Sequence, residues 1–151
     1  MAPEVKQMSK GTEFVNNWLD AVNRGDLDML VGMCQPDVEL SNPDGVSRGA
    51  ESVRVMFKPI VDAFSERQSQ VSNIVESGDT VVAEFVFSGK HTGPLASPQG
   101  AVPPTGKTIS FPMIGIYELR SGKLANSRGQ YDRLAVVSQL GLLGAPTGAV
   151  S

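Results

Sequence analysis

The chain predicts an α+β fold in which a curved, mainly antiparallel sheet packs on three N-terminal helices. Two observations predict it: apolar residues recur at helical spacing up to about residue 64, and alternate as in strands from residue 67 onward. Such a sheet would form a cone with one open mouth and a cavity between its concave face and the helices. We expect a single domain, 1–151, with its core at 12–143 and frayed tails at 1–10 and 145–151.

Three helices are predicted, over residues 12–23, 27–33 and 49–64. The apolar stripe of the first helix consists of Phe14, Val15, Trp18, Leu19 and Val22. Gly25 is expected to end this helix in a left-handed conformation, and Asp26 to cap the second. Pro59 should kink the third helix.

Strands are predicted at 38–41, 67–76, 80–91, 107–119 and 124–131. In the strand at 80–91 one face carries Val81, Ala83, Phe85 and Phe87, and the same alternation places His91 at the end of this apolar wall. Residues 92–106, rich in proline and glycine, predict either a lid or binding loop, or a disordered segment.

Composition excludes several classes of function. The net charge is −3 and the pI is about 5.1, so a nucleic-acid partner is not expected. The one cysteine, Cys34, cannot form an internal disulfide. We expect it to be an inert thiol in the core. A single histidine without clustered acids predicts no metal site. We also expect a cytoplasmic, soluble protein without a membrane partner, because no signal peptide and no apolar stretch of about 20 residues is present.

The stretch 124–143 is where we expect the function to lie, because Asp132 follows Tyr131 where a strand passes into a helix at 133–140. Asp132 could cap that helix. It could also face the cavity, partly out of water, where a raised pKa would suit proton transfer. Capping does not exclude the second role.

Other residues form a candidate site around Asp132. Alternation counted back from Asp132 puts Gln130 and Arg128 on its face of the strand and Tyr131 on the other, so Arg128 would form either a functional or a structural ion pair. His91 could polarise a carbonyl or be a structural histidine. The residues that could line a pocket for a flat or polycyclic ligand, or simply form core, are Phe14, Trp18, Phe85, Phe87, Phe111 and Met113.

Several segments resemble known proteins. Residues 21–28, 37–40 and 49–54 resemble the opening of nuclear-transport-factor-2-like folds, an α+β barrel or cone. Residues 89–93, 103–107, 122–124 and 131–141 are similar to the SnoaL-like polyketide cyclase branch of that superfamily. The resemblance spans roughly 12–143 and implies the fold more specifically than the activity, because this fold carries many chemistries.

The resemblance also separates rival activities. A ketosteroid isomerase would need acidic or phenolic residues where this chain has Asn42, Trp18 and Gly115, so that activity is set aside. An epoxide hydrolase of the limonene type would need an Asp-Arg-Asp set, for which Asp132 and Arg128 supply only two members.

The SnoaL-like family implies a cofactor-free acid/base cyclase or isomerase acting on a polyketide-like or other apolar carbonyl compound. Asp132 matches the position of the family's acid/base aspartate, and Arg128, His91 and Tyr131 would orient it. The alternative is a non-catalytic module that binds a small ligand or dimerises. The resemblance implies a homodimer formed through the outer sheet face, on which we place Thr108, Ser110, Ile114 and Ile116.

Overall fold

The computed structural model describes residues 9–97 and 100–143. Of the tails predicted at 1–10 and 145–151, residues 1–8 and 145–151 lie outside the described residues, and Lys10 belongs to a helix instead of a tail. The helices are α1 (Lys10–Arg24), α2 (Leu27–Gly32), α3 (Ala50–Ala63) and α4 (Arg133–Gln139). The strands are β1 (Cys34–Asn42), β2 (Gly45–Arg48), β3 (Phe64–Ser77), β4 (Thr80–His91), β5 (Thr108–Arg120) and β6 (Lys123–Tyr131).

The strands form one curved sheet in the order β2-β1-β6-β5-β4-β3. All neighbouring pairs are antiparallel except β1 and β6, which run parallel. Strands β2 and β3 are the edges in the described part of the chain, so the barrel is not closed. The predicted α+β class and the mainly antiparallel sheet are confirmed.

The helices begin and end where the local chemistry predicts. Gly25 adopts a φ of 71°, a left-handed conformation that suits glycine, and ends α1. The carboxylate of Asp26 accepts a hydrogen bond of 3.0 Å from the amide of Met29 and thereby caps α2. Helix α3 runs through Pro59 without ending there.

Two side chains from β3 tie the helices to the sheet. Glu76 accepts hydrogen bonds from the hydroxyls of Ser9 and Thr12 at the start of α1, the second at 2.9 Å. The guanidinium of Arg67 donates to the carbonyls of Val22 and Val61 near the ends of α1 and α3, each at 3.2 Å. Cationic donors suit helix C-termini, where carbonyls lack partners.

The hydrophobic core lies between the helices and one face of the sheet, which we call the inner face. On β4 this face carries Val81, Ala83, Phe85, Phe87 and His91, all buried as predicted. The outer face carries exposed residues such as Val86 and Ile114. Thr108, Ser110, Ile114 and Ile116 alternate with buried residues of β5, so their predicted place on the outer face is confirmed.

Three elements differ from the sequence prediction. Strand β3 starts at Phe64, three residues earlier than expected and at a position that the prediction gave to the third helix. Strand β1 starts at Cys34, four residues earlier than expected, because its first part is exposed and carries Pro36 instead of an alternating pattern. The edge strand β2 was not predicted, since its four residues are too few to show an alternation of apolar and polar residues. No helix in the described part of the chain is long and apolar enough to cross a membrane.

Candidate functional site

Asp132 lies at the junction between β6 and α4. Its Oδ1 accepts a hydrogen bond of 3.1 Å from the amide of Ala135, so the predicted N-cap is confirmed. The side chain is exposed, which makes the expected partial burial of Asp132 wrong. The chain leaves the sheet after Tyr131, and this carries the carboxylate to the rim of the domain. A carboxylate here is accessible to a ligand from solvent.

The side chains of β6 lie on the opposite faces of the sheet from those that we predicted. Tyr131 pairs with Met113 in the sheet, and its ring packs on Phe111 at 5.4 Å between ring centroids. Tyr131 therefore belongs to the inner face, and Gln130 and Arg128 belong to the outer face. Alternation could not be counted back from Asp132, because Asp132 is no longer part of the strand.

Arg128 pairs with residues other than Asp132. Its guanidinium lies 3.0 Å from Oε2 of Glu118 and donates a hydrogen bond of 2.8 Å to Oδ1 of Asn126. Both Glu118 and Asn126 belong to the outer face, where they pair with each other across β5 and β6. The prediction that Arg128 lies beside Asp132 is therefore wrong. Arg128 instead forms a structural ion pair, which was the other interpretation of this residue.

Asp44, in the turn between β1 and β2, contacts the residues on both sides of Asp132. Its Oδ1 lies 3.2 Å from the guanidinium of Arg133, and its Oδ2 accepts from the hydroxyl of Tyr131 at 3.4 Å. The amide of Asp44 donates to Oδ1 of Asn42 at 2.8 Å, which fixes the turn. Sequence reasoning gave Asp44 no role, since an aspartate in a Pro-Asp-Gly turn is ordinary and nothing local indicates its distant partners.

The hydroxyl of Tyr131 is held in its protonated form. Burial raises the pKa of this phenol, and the negative charge of Asp44 raises it further. A protonated phenol donates a hydrogen bond. The junction therefore offers a carboxylate at Asp132 and a neutral hydroxyl donor at Tyr131. We call Asp44, Tyr131, Asp132 and Arg133 the junction site.

His91 is fully buried at the base of the loop that follows β4. Its Nδ1 accepts a hydrogen bond of 3.1 Å from the amide of Thr105 and lies 3.0 Å from the hydroxyl of the same residue. The proton of a neutral ring is therefore on Nε2, which has no partner among the described residues. The backbone of His91 also bonds Gly106 and Lys107, each at 2.8 Å. The residue anchors both ends of the loop.

A row of aromatic rings on the inner face separates His91 from the junction site. The ring centroids of neighbours in this row lie 5.4 to 6.5 Å apart. The order of the row is His91, Phe64, Phe87, Phe111 and Tyr131. Three rings thus intervene between His91 and Tyr131, and the structure does not bring His91 to Asp132.

Most predicted ligand contacts are core residues. Trp18 stacks on Phe14 at 6.0 Å and meets the edge of Phe57 at 5.8 Å. Phe14, Trp18, Phe85, Phe87 and Phe111 are all buried. Met113 and Tyr131 are half-buried, so these two remain accessible to a ligand on the inner face.

A groove of about 440 Å³ crosses the outer face. Its exposed lining comes from Ser72, Glu84, Val86, Pro112, Ile114, Gln130 and Asp132. Phe85, Met113 and Tyr131 complete its lining, so the groove reaches the junction site at Tyr131 and Asp132. Its centre is apolar and its edges are polar, which is typical of a protein–protein contact surface.

No group of three or more His, Cys, Asp or Glu side chains that could hold a metal occurs within residues 9–97 and 100–143. Cys34 is buried, and its burial raises the thiol pKa to about 12. A thiol with this pKa is not a nucleophile at neutral pH, so the predicted inert cysteine is confirmed.

Solved structures share this architecture. TsrD from Streptomyces laurentii superposes with a TM-score of 0.77 at 27% identity, covering 93% of this chain and 100% of TsrD. A candidate SnoaL-like polyketide cyclase from Jannaschia sp. CCS1 gives a TM-score of 0.78 at 21% identity, covering 93% and 100%. An LEH-like epoxide hydrolase from M. tuberculosis gives 0.66 at 15% identity, covering 87% and 89%. The last two show the fold alone.

No curated protein matches the sequence. The model of the SnoaL-like polyketide cyclase family matches residues 12–140, which include all but the first two residues of α1, the other helices and strands of the described chain, and the whole junction site. The resemblance seen in the sequence is therefore confirmed, and the chain belongs to the SnoaL-like polyketide cyclase family.

Proposed function

We propose that this protein is a cofactor-independent cyclase or isomerase that performs acid/base chemistry on a polyketide-like or other apolar carbonyl compound. The observation that carries the proposal is the pairing, at adjacent positions of the junction site, of the accessible carboxylate of Asp132 with the protonated hydroxyl of Tyr131. The family match extends across this junction.

The proposed reaction is an intramolecular aldol ring closure. Asp132 takes a proton from a carbon flanked by carbonyl groups, and the resulting enolate carbon attacks a second carbonyl carbon. A C–C bond forms, the π bond of the attacked carbonyl breaks, and its oxygen becomes an alkoxide. The carboxylic acid of Asp132 then returns the proton to that alkoxide, so no oxidant or reductant is needed.

Tyr131 would assist by donating a hydrogen bond to the enolate oxygen while the charge develops. Asp44 holds the Tyr131 hydroxyl in the free protein, and a substrate oxygen would compete with it for the phenolic proton. Arg133 compensates the charge of Asp44 at the same place. General acid/base transfer by a group like Asp132 contributes about 10²–10⁴-fold to the rate.

Replacing Asp132 with Asn tests the proposal. Asn retains size and capping ability but cannot take a proton. The variant should keep its thermal midpoint and lose turnover by about 10²–10⁴-fold on a keto-aldehyde that the native protein cyclises. Asp28→Asn, an exposed change on α2, is the control. Native-like turnover in Asp132→Asn would refute the mechanism.

The second candidate is a non-catalytic module that dimerises or binds a small ligand. The specific observation in its favour is that Asp132 is exposed and acts as a helix cap, while Phe14, Trp18 and Phe57 pack together on the helical side. The junction site would then be a structural clasp between the β1–β2 turn and α4.

We also propose a homodimer through the outer face. Val86 and Ile114 are exposed on neighbouring strands, and charged Glu84 and Arg128 border them. A second copy would cover this apolar centre and place polar groups at its rim. Ile114→Lys should convert the dimer to monomer in sedimentation experiments, and Asn17→Lys, an exposed change on α1, should not. A native protein that sediments as a monomer would exclude the dimer.

A further inference from the structure

We propose that Gly129 determines substrate size, because its missing side chain opens a cleft on the inner face that holds one ring of a flat, neutral carbonyl compound. This inference rests on the proposed function, since it assigns the place where the apolar part of that substrate lies. It also commits to the inner face, and not to the outer groove, as the binding side of the junction site.

Gly129 is a glycine for which the fold gives no reason. Glycine within a strand weakens it by roughly 0.5–1 kcal/mol relative to alanine. Elsewhere in strands of the described chain, Gly89 and Gly115 have side chains packed where a Cβ would be, at 3.1 and 2.6 Å, and Gly45 has a positive φ. Gly129 has neither feature: a Cβ built there meets no atom within 4 Å, and its φ lies outside the left-handed region.

The open space lies on the inner face. Gly129 pairs directly with Gly115, where an added Cβ would strike the buried ring of Tyr117, so both positions face the core side of the sheet. Ser127 and Tyr131 flank Gly129 on the same face of β6, and both are half-buried. Water therefore reaches these side chains, and a ligand can reach them too.

The lining defines the chemistry of the ligand. Met113 and the ring of Tyr131 are adjacent in the sheet register and offer a flat apolar surface. The hydroxyls of Ser127 and Tyr131 can bond a carbonyl or hydroxyl group at the edge of a ring. The charged residue of this part of β6, Arg128, points to the outer face. A neutral, flat, oxygenated ring fits these contacts.

The size of the missing side chain then sets which rings fit. A valine at position 129 suits a strand and has the room to be accommodated by the fold. It would occupy the space over the sheet beside Tyr131. A tricyclic ligand would lose this space, whereas a single ring could still lie against Met113 and Tyr131.

A binding titration tests the inference without any turnover. Native protein should bind 1,8-dihydroxyanthraquinone, and Gly129→Val should bind it at least about tenfold more weakly, as expected for overpacking a contact. For the single-ring compound 2-hydroxyacetophenone, the logarithm of the dissociation constant should change by less than half as much as it does for the tricyclic compound. Gly32→Val, at a glycine with equally free surroundings on α2, should behave as the native protein.

A substitution on the outer face of the sheet tests whether the ligand lies on the inner or the outer face. Gln130→Val adds the same side chain at the next position but on the outer face. If Gln130→Val weakened binding and Gly129→Val did not, the ligand would lie in the outer groove and the proposal would be wrong. It would also be wrong if the native protein did not bind the tricyclic probe. Neither result depends on Asp132, whose role is judged by turnover alone.

Accessibility of the cleft gives a test that needs no ligand. The thiol introduced by Gly129→Cys should react with a small disulfide reagent in the folded protein, as should that introduced by Gly32→Cys. Buried Cys34, with its thiol pKa raised to about 12, should stay unreacted and serves as the internal control. An unreactive thiol at position 129 in a folded variant would show that no open cleft exists there.

Discussion

The hydroxyl of Tyr131 lies 3.4 Å from Oδ2 of Asp44, although 87 residues separate the two in the chain. This contact joins the turn after β1 to the end of β6, at the carboxyl ends of these two parallel strands. Together with the ion pair between Asp44 and Arg133, it links the side chains on both sides of Asp132 to the turn between β1 and β2. The position of the candidate acid/base group thus depends on a residue in a distant turn.

The contact predicts a change in the ionisation of Tyr131. The charge of Asp44 disfavours the phenolate, so Asp44→Asn should lower the pKa of Tyr131. Absorbance at about 295 nm reports phenolate formation, and a Tyr117→Phe background leaves Tyr131 as the sole tyrosine. Asp37→Asn, which breaks the ion pair with Arg120, is the control and should leave the titration unchanged. An unaltered titration in Asp44→Asn would show that the contact does not form in solution.

The link between β3 and α1 predicts a loss of stability in acid. Hydrogen bonds from Ser9 and Thr12 lower the pKa of Glu76 in the folded protein. A depressed folded pKa stabilises the fold above the unfolded pKa, and this contribution disappears as the pH falls through the folded value. Glu76→Gln should therefore unfold at lower urea concentration at pH 7 and resemble the native protein more closely near pH 3. Glu66→Gln, an exposed change on the same strand, should show no such convergence.

The anchoring role of His91 predicts how its variants behave. His91→Leu removes the acceptor for the amide of Thr105, and an unsatisfied buried donor costs about 1–3 kcal/mol. Hydrogen exchange at Thr105 and Gly106 should become faster. His91→Asn can place an oxygen near the former Nδ1 and should restore part of the protection. If His91→Asn retained the loop but lost turnover, His91 would have a catalytic role after all.

The outer-face position of Arg128 predicts that it is dispensable for chemistry. Arg128→Gln removes the charge that pairs with Glu118 but keeps a polar side chain. Turnover of a competent substrate should be unchanged, whereas the salt dependence of self-association should alter. A large fall in turnover with an unchanged oligomeric state would contradict this and would support the functional role that the sequence indicated for Arg128.

Long regular elements were predictable from the sequence. Strand β4 was predicted with the bounds it has, because six alternate positions on one side are buried and most of the intervening side chains are polar or exposed. The N-caps at Asp26 and Asp132 were also predictable, since a cap depends only on residues within one helical turn.

The face of β6 was not predictable in the same way. Its inner positions near the junction are Ser127 and Gly129, which give no apolar signal, while the longer Arg128 and Gln130 face outward. Only the pairing with β5 reveals the alternation. The contacts of Asp44 and His91 were equally hidden, because each joins segments that are distant in the sequence.

Proton exchange at carbon is the measurement that tests the proposed role of Asp132 most directly. The native protein should accelerate deuterium incorporation from D₂O at the acidic carbon of a tricyclic β-keto ester, followed by NMR, and Asp132→Asn should not. Both proteins should bind the compound with equal affinity, because the substitution keeps the cap. Equal exchange rates for the native and Asp132→Asn proteins would contradict the assignment of Asp132 as the base.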